Sequence, residues 1–313
     1  MTARRGASPE AEAPDPATAL KGYGAVSFAV LVWAGWIVAT RDQVAGIAPL
    51  DIAVARYGTP ALLLAPIWLR KGIVPRGEDP RLLAVMAAGW GGGFALLTAK
   101  GLETVPAALF GPMVPAMLPL IVAVWDRAAH RAPIRGERAA GLALIAVSIA
   151  LIVGPAALRG DAGFFRGAPY LFAAACGWSA FTIAYRASRL NGLEATAYVC
   201  LWSAPFLAAA VWWFGTGLPA LSAPALGWVV LSQGLLAGIG AVATFGYAVR
   251  RLGIPRTSSF TSLVPMGAAL GGWAALGEAP TPLDWASVTA ACLGVALVNG
   301  AFGAATRRGR AGG

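Results

Sequence analysis

The segment from Ile254 to Glu278, IPRTSSFTSLVPMGAALGGWAALGE, carries the pattern that indicates how this chain folds. It is apolar but rich in small and hydroxyl residues, it carries Pro265 near its middle, and it ends on the pair Gly277-Glu278. A proline removes a backbone hydrogen bond and marks a point where a helix kinks or unwinds. The segment therefore predicts an apolar helix with a deformable centre and an acidic end.

A second segment, VPAALFGPMVPAMLPLIVAVWD from Val105 to Asp126, repeats this pattern in the first half of the chain. Matching residues lie about 150 positions apart, and these pairs include Pro106 with Pro255, Pro115 with Pro265, Asp126 with Glu278, Trp33 with Trp178, and Asp51 with Glu194. Two copies of one unit are therefore predicted, at residues 22–155 and 167–303, joined by a linker at residues 156–166.

The composition is that of a membrane protein. Of the 313 residues, 58% are hydrophobic and 12% are charged, about half the charged fraction of an ordinary soluble domain. His130 is the single histidine, and the three cysteines lie in apolar runs without a metal-binding spacing. This pattern argues against metal or hydrolytic chemistry, so we expect no enzyme activity, no metal and no cofactor.

Ten apolar stretches have the roughly 20 residues that a helix needs to cross the hydrocarbon core. They lie at residues 22–40, 50–69, 82–99, 106–125, 139–155, 167–185, 193–214, 225–249, 257–276 and 285–302. The fold class predicted is an all-α polytopic membrane protein with ten transmembrane helices. Residues 1–21 are predicted to form a disordered cytoplasmic tail, and residues 304–313 a second cytoplasmic tail.

The basic residues are distributed unequally between the two sides of these spans. Nineteen of the 24 Lys and Arg residues fall in one alternating set of segments, which includes both tails, and four fall in the other. Since cytoplasmic loops carry the excess of basic residues, both termini are expected in the cytoplasm. This distribution accounts for the net charge of +10, so no nucleic-acid partner is expected. Five spans per copy make the two repeats inverted.

The sequence resembles the EamA-type family of the drug/metabolite transporter superfamily. The resemblance is carried by Arg56-Tyr57 in the second span, the small-residue and proline helices of spans four and nine, the Gly277-Glu278 end and the ten-span duplication. One departure is Trp125-Asp126, where the family pattern has a Gly-Glu pair, which weakens a contact expected at that helix end.

The resemblance implies a secondary transporter, an exporter of small organic metabolites such as amino acids, working by alternating access in the bacterial inner membrane. The alternatives are a multidrug or other metabolite or nucleoside permease, a non-transporting membrane sensor, and an intramembrane enzyme. The partners expected are a small-molecule substrate and membrane lipid, with the chain a monomer or a homodimer.

Arg56 is the one ionisable residue well inside a predicted span. A charge in the bilayer is costly and is a functional candidate by default. Two interpretations stay open: Arg56 faces inward and pairs with a helix end or a substrate carboxylate, or it extends along the helix to the outer surface.

The other candidates for substrate binding are aromatic or polar residues within spans, namely Trp33, Trp90, Trp178, Tyr198, Trp202, Gln233 and Tyr247. Trp33 and Trp178 are favoured because they are matched between the two copies, and matched positions tend to face the shared interface. Packing, lipid contact and interhelical hydrogen bonds are the competing interpretations. Pro115 and Pro265 are predicted as the deformable points of the gating helices.

Overall fold

A computed structural model of the protein describes residues 16–134 and 136–300. Within these ranges the chain is helical and contains no strand, which confirms the all-α prediction. The helices are α1 (Pro16–Gln43), α2 (Pro49–Leu63), α3 (Ala65–Lys71), α4 (Pro80–Trp90), α5 (Gly92–Leu102), α6 (Ala107–Met113), α7 (Met117–His130), α8 (Gly136–Arg159), α9 (Ala162–Ala187), α10 (Gly192–Phe214), α11 (Ala223–Val229), α12 (Ala241–Leu252), α13 (Ile254–Phe260), α14 (Val264–Leu276) and α15 (Pro282–Val298). A π-helical segment at Val230–Gly240 joins α11 to α12, and a 3-10 turn at Thr261–Leu263 joins α13 to α14.

Six helical stretches in the described residues are long and apolar enough to cross a membrane. A seventh is formed if α2 and α3, which meet at a bend of 57°, are one span. The other three predicted spans correspond to α9, to the pair α13 and α14, which the 3-10 turn interrupts, and to α15, which has 17 residues. The count of ten spans stays a prediction.

Two predicted boundaries differ from the structure. Helix α1 begins at Pro16, inside the tail predicted at residues 1–21, because proline suits the first helical turn and the following alanines and leucine favour helix. Within the predicted linker, α8 continues to Arg159 and α9 starts at Ala162. The turn is this short because Gly160 adopts a positive φ of 61° and the Asp161 side chain caps α9. Residues 1–15 and 304–313 of the predicted tails lie outside the described residues.

Contacts between helices run mainly across the two predicted copies. Helix α1 packs against α12 and α14, helix α9 against α4 and α5, helix α2 against the π-helical segment, and helix α8 against α15. The α8–α15 contact is close because Gly141 and Gly294 face each other, and a Cβ at Gly141 would lie 2.6 Å from the Gly294 carbonyl oxygen. Such small-residue contacts are how helices associate in lipid, where apolar surfaces have no drive to leave water.

Candidate functional site

The Arg56 side chain lies in the interior of the helix bundle. It is 4% exposed, and its guanidinium carbon lies 4.2 Å from the centroid of the Trp36 ring. Within the described chain its Nε and Nη1 atoms are buried and have no hydrogen-bond partner. Arg56 therefore faces inward and does not reach the surface, whereas its pairing with a substrate stays a prediction.

The surroundings of Arg56 leave its charge incompletely compensated. The cation–π contact with Trp36 contributes about 0.5–2 kcal/mol, whereas taking an ion out of water costs several kcal/mol. A buried guanidinium with bare N–H groups is stabilised by an anion that accepts hydrogen bonds from them. The two unpartnered Arg56 nitrogens are thus hydrogen-bond donors of the kind that a carboxylate or a similar anionic group accepts from.

Trp36 connects Arg56 to a buried polar network between α1 and the π-helical segment. The Trp36 indole Nε1 donates to Gln233 Oε1 at 2.7 Å, and Gln233 Nε2 donates to Thr40 Oγ1 at 3.0 Å and to Gln43 Oε1 at 2.7 Å. Gln43 Nε2 in turn donates to the Ser232 hydroxyl at 2.9 Å. Gln233 is 0% exposed, so its predicted contact with a substrate would require one of these bonds to be exchanged.

An aromatic cluster continues from the other side of Trp36. Trp36 stacks on Phe94 at 6.4 Å between ring centroids, and Phe94 meets Trp178 edge to face at 5.7 Å. Trp178 stacks on Trp90 at 6.4 Å, and Trp90 lies 5.0 Å from the Phe181 ring. The rings are contributed by α1, α4, α5 and α9, and so by both predicted copies.

Tyr57 links this cluster to the helix that carries Arg56. Its hydroxyl donates to the backbone carbonyl oxygen of Trp90, and its ring centroid lies 5.8 Å from the Arg56 guanidinium carbon. Four predicted site residues, Arg56, Trp90, Trp178 and Gln233, are thus brought together. Trp36 completes this cluster; the sequence indicated it as one of the deeper tryptophans that could line a cavity, but it was not among the selected site residues.

The remaining predicted site residues lie elsewhere. Tyr198 and Trp202 donate to the backbone carbonyls of Gly72 and Ile73, at 3.0 and 3.1 Å, and so hold the loop after α3. These bonds occupy the one polar atom of each side chain.

Trp33 and Tyr247 also lie outside the cluster around Arg56. The Trp33 and Phe245 rings are tilted by 51°, with their centroids 5.3 Å apart, in a contact between α1 and α12. Tyr247 lies under the Arg251 guanidinium at 5.2 Å. Each therefore has an aromatic or cation–π partner within its own neighbourhood, rather than with the rings of Trp90 and Trp178.

Both predicted gating prolines lie at breaks between helices. Pro115 falls between α6 and α7, and Pro265 lies in the first turn of α14, directly after the 3-10 turn. The two breaks touch, since Gly111 of α6 packs against the Pro265 ring so closely that a Cβ has no room. The gating function of the two prolines stays a prediction.

Two ion pairs join helix ends at positions matched in the duplication. Arg41 Nε lies 2.6 Å from Glu278 Oε1, and Arg41 Nη1 also donates to the carbonyl oxygens of Leu102 and Glu103. At the matched position Arg186 Nη1 lies 3.8 Å from Asp126 Oδ2, with the Arg186 side chain 56% exposed. The sequence signal for these pairs was the matched acids, but the arginine partners were missed.

Comparisons with known proteins agree with this arrangement. The model of the EamA-like transporter family matches the chain twice, over residues 20–154 and 165–300. A curated relative from Streptantibioticus cattleyicolor, named "Probable terminal-alkyne amino-acid exporter", is 28% identical over 296 residues, which cover 89% of this chain and 93% of the relative.

The fold is shared with a solved structure. A chain described as "Crystal structure of protein" superposes with a TM-score of 0.59 at 18% identity, and the match covers 90% of this chain and 96% of that chain. The family model accounts for nearly the whole described sequence in two repeats, and the helices are apolar. This protein is therefore a multi-pass membrane protein that belongs to the EamA-like transporter family.

Proposed function

We propose that this protein is a secondary transporter that exports small organic metabolites, amino acids among them, across the bacterial cytoplasmic membrane by alternating access. The observation that carries the proposal is Arg56, a buried cation with two unpartnered nitrogens in the described chain, beside an aromatic cluster. The carboxylate of an amino-acid substrate accepts hydrogen bonds from these two nitrogens, and the rings of Trp90 and Trp178 contact the side chain of the substrate. The curated relative's name also refers to an amino acid.

The proposal includes ten spans arranged as two inverted repeats, with both termini cytoplasmic. It is supported by contacts that recur between matched residues. Trp33 packs on Phe245 at 5.3 Å, and its counterpart Trp178 packs on Phe94 at 5.7 Å, where Phe94 and Phe245 are themselves about 150 positions apart. Each copy thus presents a tryptophan to a phenylalanine of the other copy, as expected for two units related by a two-fold axis.

A second pair of matched residues supports the same relation. Asp51, at the start of α2, accepts hydrogen bonds from Thr216 and Gly217, just after α10. Glu194, at the start of α10, pairs with Lys71 at the end of α3. The acid that opens each helix therefore contacts the end of its counterpart, so α2 and α10 run antiparallel.

The unequal ion pairs support alternating access. The Arg41–Glu278 pair is half-buried and joins the two copies at 2.6 Å, while the Arg186–Asp126 pair between the copies is longer, at 3.8 Å, with Arg186 exposed. Asp126 is held more closely by Arg138 of its own copy, at 3.2 Å. With both termini in the cytoplasm, the tighter pair lies at the periplasmic end. This inequality fits a state closed to the periplasm, in which breaking one pair and tightening the other exchanges the accessible side.

A multidrug or nucleoside permease is the second candidate, because stacked tryptophans suit any flat solute. The buried Arg56 charge disfavours cationic drugs, which it repels. A non-transporting sensor and an intramembrane enzyme are disfavoured by membership of a transporter family. The proposal treats the protein as a monomer or a homodimer.

The test is transport by the purified protein in liposomes. L-phenylalanine is compared with L-phenylalaninamide, a nucleoside and a cationic dye, so that the first pair differs in the carboxylate alone. We expect L-phenylalanine to be carried, and Arg56→Gln to raise its half-saturation constant about 10- to 100-fold, as loss of a charged hydrogen bond predicts. Arg56→Lys should retain part of the affinity, and Ser287→Ala, in the α8–α15 contact, serves as the control. No transport of any amino acid, or an unchanged Arg56→Gln variant, contradicts the proposal.

A further inference from the structure

Gln233 has its amide hydrogen atoms committed to protein partners. Nε2 donates to Thr40 and to Gln43, while Oε1 accepts from the Trp36 indole. An amide nitrogen carries two hydrogens, so both are used. Gln233 is 0% exposed, so its side chain contacts only other residues of the protein. Its hydrogen bond to the indole nitrogen fixes the orientation of the Trp36 ring.

Trp36 is held from several directions at once. Gln233 fixes the indole nitrogen, Phe110 meets the ring edge to face at 5.7 Å, and Phe94 stacks at 6.4 Å. The ring is 7% exposed, so it has little freedom to turn. The guanidinium of Arg56 then rests 4.2 Å from the centroid of this immobilised ring.

The π-helical segment that carries Gln233 also positions the helix that carries Arg56. A Cβ at Gly234 would lie 2.6 Å from the Thr59 Cβ, and a Cβ at Gly238 would lie 2.7 Å from the Pro60 Cγ. These glycines therefore allow α2 to approach closely. One segment thus sets both the position of the α2 backbone and, through Gln233, the ring on which the guanidinium lies.

We infer that Gln233 and Trp36 are positioning residues that hold the Arg56 guanidinium in a fixed orientation for an anionic substrate group. The inference rests on the proposed function for the meaning of that orientation. It assigns Gln233 to a role other than substrate contact: the amide orients the ring, the ring orients the cation, and Nε and Nη1 stay available for the solute.

The test uses the NMR signal of the Arg56 side chain, which needs no knowledge of the substrate. In the full-length protein labelled with ¹⁵N-arginine in nanodiscs, the Arg56 Nε–H resonance is assigned by its loss in Arg56→Lys. A proton beside an aromatic face is shifted upfield, so the resonance should lie upfield of those from exposed arginines. We expect Gln233→Leu to move it towards the exposed arginines and to raise its rate of exchange with water about tenfold.

A second variant guards against misfolding of the first. Trp36→Phe keeps an aromatic face but removes the N–H that Gln233 accepts, and it should move the same resonance in the same direction. Ser287→Ala, which removes buried hydrogen bonds between α8 and α15, should leave it in place. The inference is overturned if the chemical shift of the Arg56 Nε–H resonance is unchanged in both test variants. It is also overturned if Ser287→Ala changes that chemical shift by the same amount.

The transport assay separates this inference from the proposed function. The Arg56→Gln protein is expected to lose the preference for L-phenylalanine over L-phenylalaninamide. Gln233→Leu is expected to raise the half-saturation constant for L-phenylalanine in the parent protein but not in the Arg56→Gln background. These two results together support the proposed function and the positioning of Arg56. If Arg56→Gln keeps the preference while the resonance still moves, the proposed function fails and the positioning of Arg56 stands.

Discussion

Arg41 Nε donates to Glu278 Oε1 at 2.6 Å, and this contact joins the end of α1 to the residue that follows the cap of α14. The same carboxylate accepts from the backbone nitrogen of Ala107 at 2.9 Å, at the start of α6. Arg41 also donates to the carbonyl oxygen of Leu102 at 2.6 Å, at the end of α5. One ion pair therefore gathers four helix ends at the same end of the bundle.

Removing this carboxylate should open that end. Glu278→Gln loses the charge that holds Arg41, and hydrogen bonds to charged groups contribute about 1.5–3 kcal/mol. We expect a lower melting temperature and, in a variant lacking the native cysteines, faster labelling of Ala107→Cys by an impermeant maleimide, by about tenfold or more. The rate of maleimide labelling is the measurement.

Glu103→Gln is the matched control for this variant. Glu103 pairs with Lys100 three residues earlier, near the same end of the bundle, where the Lys100 side chain is exposed and that of Glu103 is partly exposed. An exposed pair contributes little, so labelling should stay within about twofold of the parent protein. Equal labelling of the Glu278→Gln and Glu103→Gln proteins would show that the Arg41–Glu278 contact does not close this end.

Lengthening the acid at the other end should have the opposite effect. Asp126 Oδ2 lies 3.2 Å from Arg138 Nη2 and 3.8 Å from Arg186 Nη1, so the additional methylene of Asp126→Glu lets the carboxylate keep Arg138 and approach Arg186 more closely. If both ends close, transport slows, by at most about fivefold because exposed pairs contribute 0.2–1 kcal/mol. The initial rate of exchange in liposomes measures this, and faster exchange in Asp126→Glu would contradict the model.

Shortening Trp178 should alter which amino acids bind best. Trp178 contacts Trp90 and Phe94, and aromatic pairs contribute about 0.5–1.5 kcal/mol beyond burial. Trp178→Ala should raise the half-saturation constant for L-phenylalanine roughly 2- to 10-fold more than that for L-alanine. Trp285→Ala removes a ring that packs against Trp273 and is the control. The same increase for both amino acids would argue that Trp178 acts through general packing.

The α8–α15 contact provides a test of stability. Gly141→Val places a side chain against the Gly294 carbonyl oxygen, with 2.6 Å available to its Cβ, and should lower the free energy of unfolding by at least 1–3 kcal/mol. Gly154→Ala, on the same helix, meets no described atom within 4 Å and should stabilise the protein by about 0.5–1 kcal/mol. Thermal unfolding in detergent measures both, and a Gly141→Val protein as stable as the parent would rule out this close packing.

Features that depend on residues close together along the chain were predicted from the sequence. Apolar runs, the prolines at 115 and 265 and the duplication led to an all-α membrane fold and its family before any coordinates. The linker between the two copies stays a prediction, and within it Gly160 and Asp161 make a short turn while α8 and α9 extend into the neighbouring residues. A turn that needs so few residues leaves little compositional signal.

The membership of the site could be predicted only in part. Arg56, Trp90, Trp178 and Gln233 were selected, yet Tyr198 and Trp202 bond to loop carbonyls. Trp36 was not selected because nothing in the linear sequence distinguishes it from the other tryptophans deep within predicted spans. Its importance comes from Gln233, which lies 197 residues away in the chain.

Hydropathy, charge and repeated spacing are local properties, so they were sufficient to predict a duplicated, apolar helical protein with one cation inside a span. The direction of that cation and its surroundings follow only from the packing of the helices. Helix packing brings Trp36, Gln233 and Arg56 together from three helical segments. The contact among these three residues depends on the rotation of each helix and on close packing at glycines. The order of residues along the chain does not specify either of these.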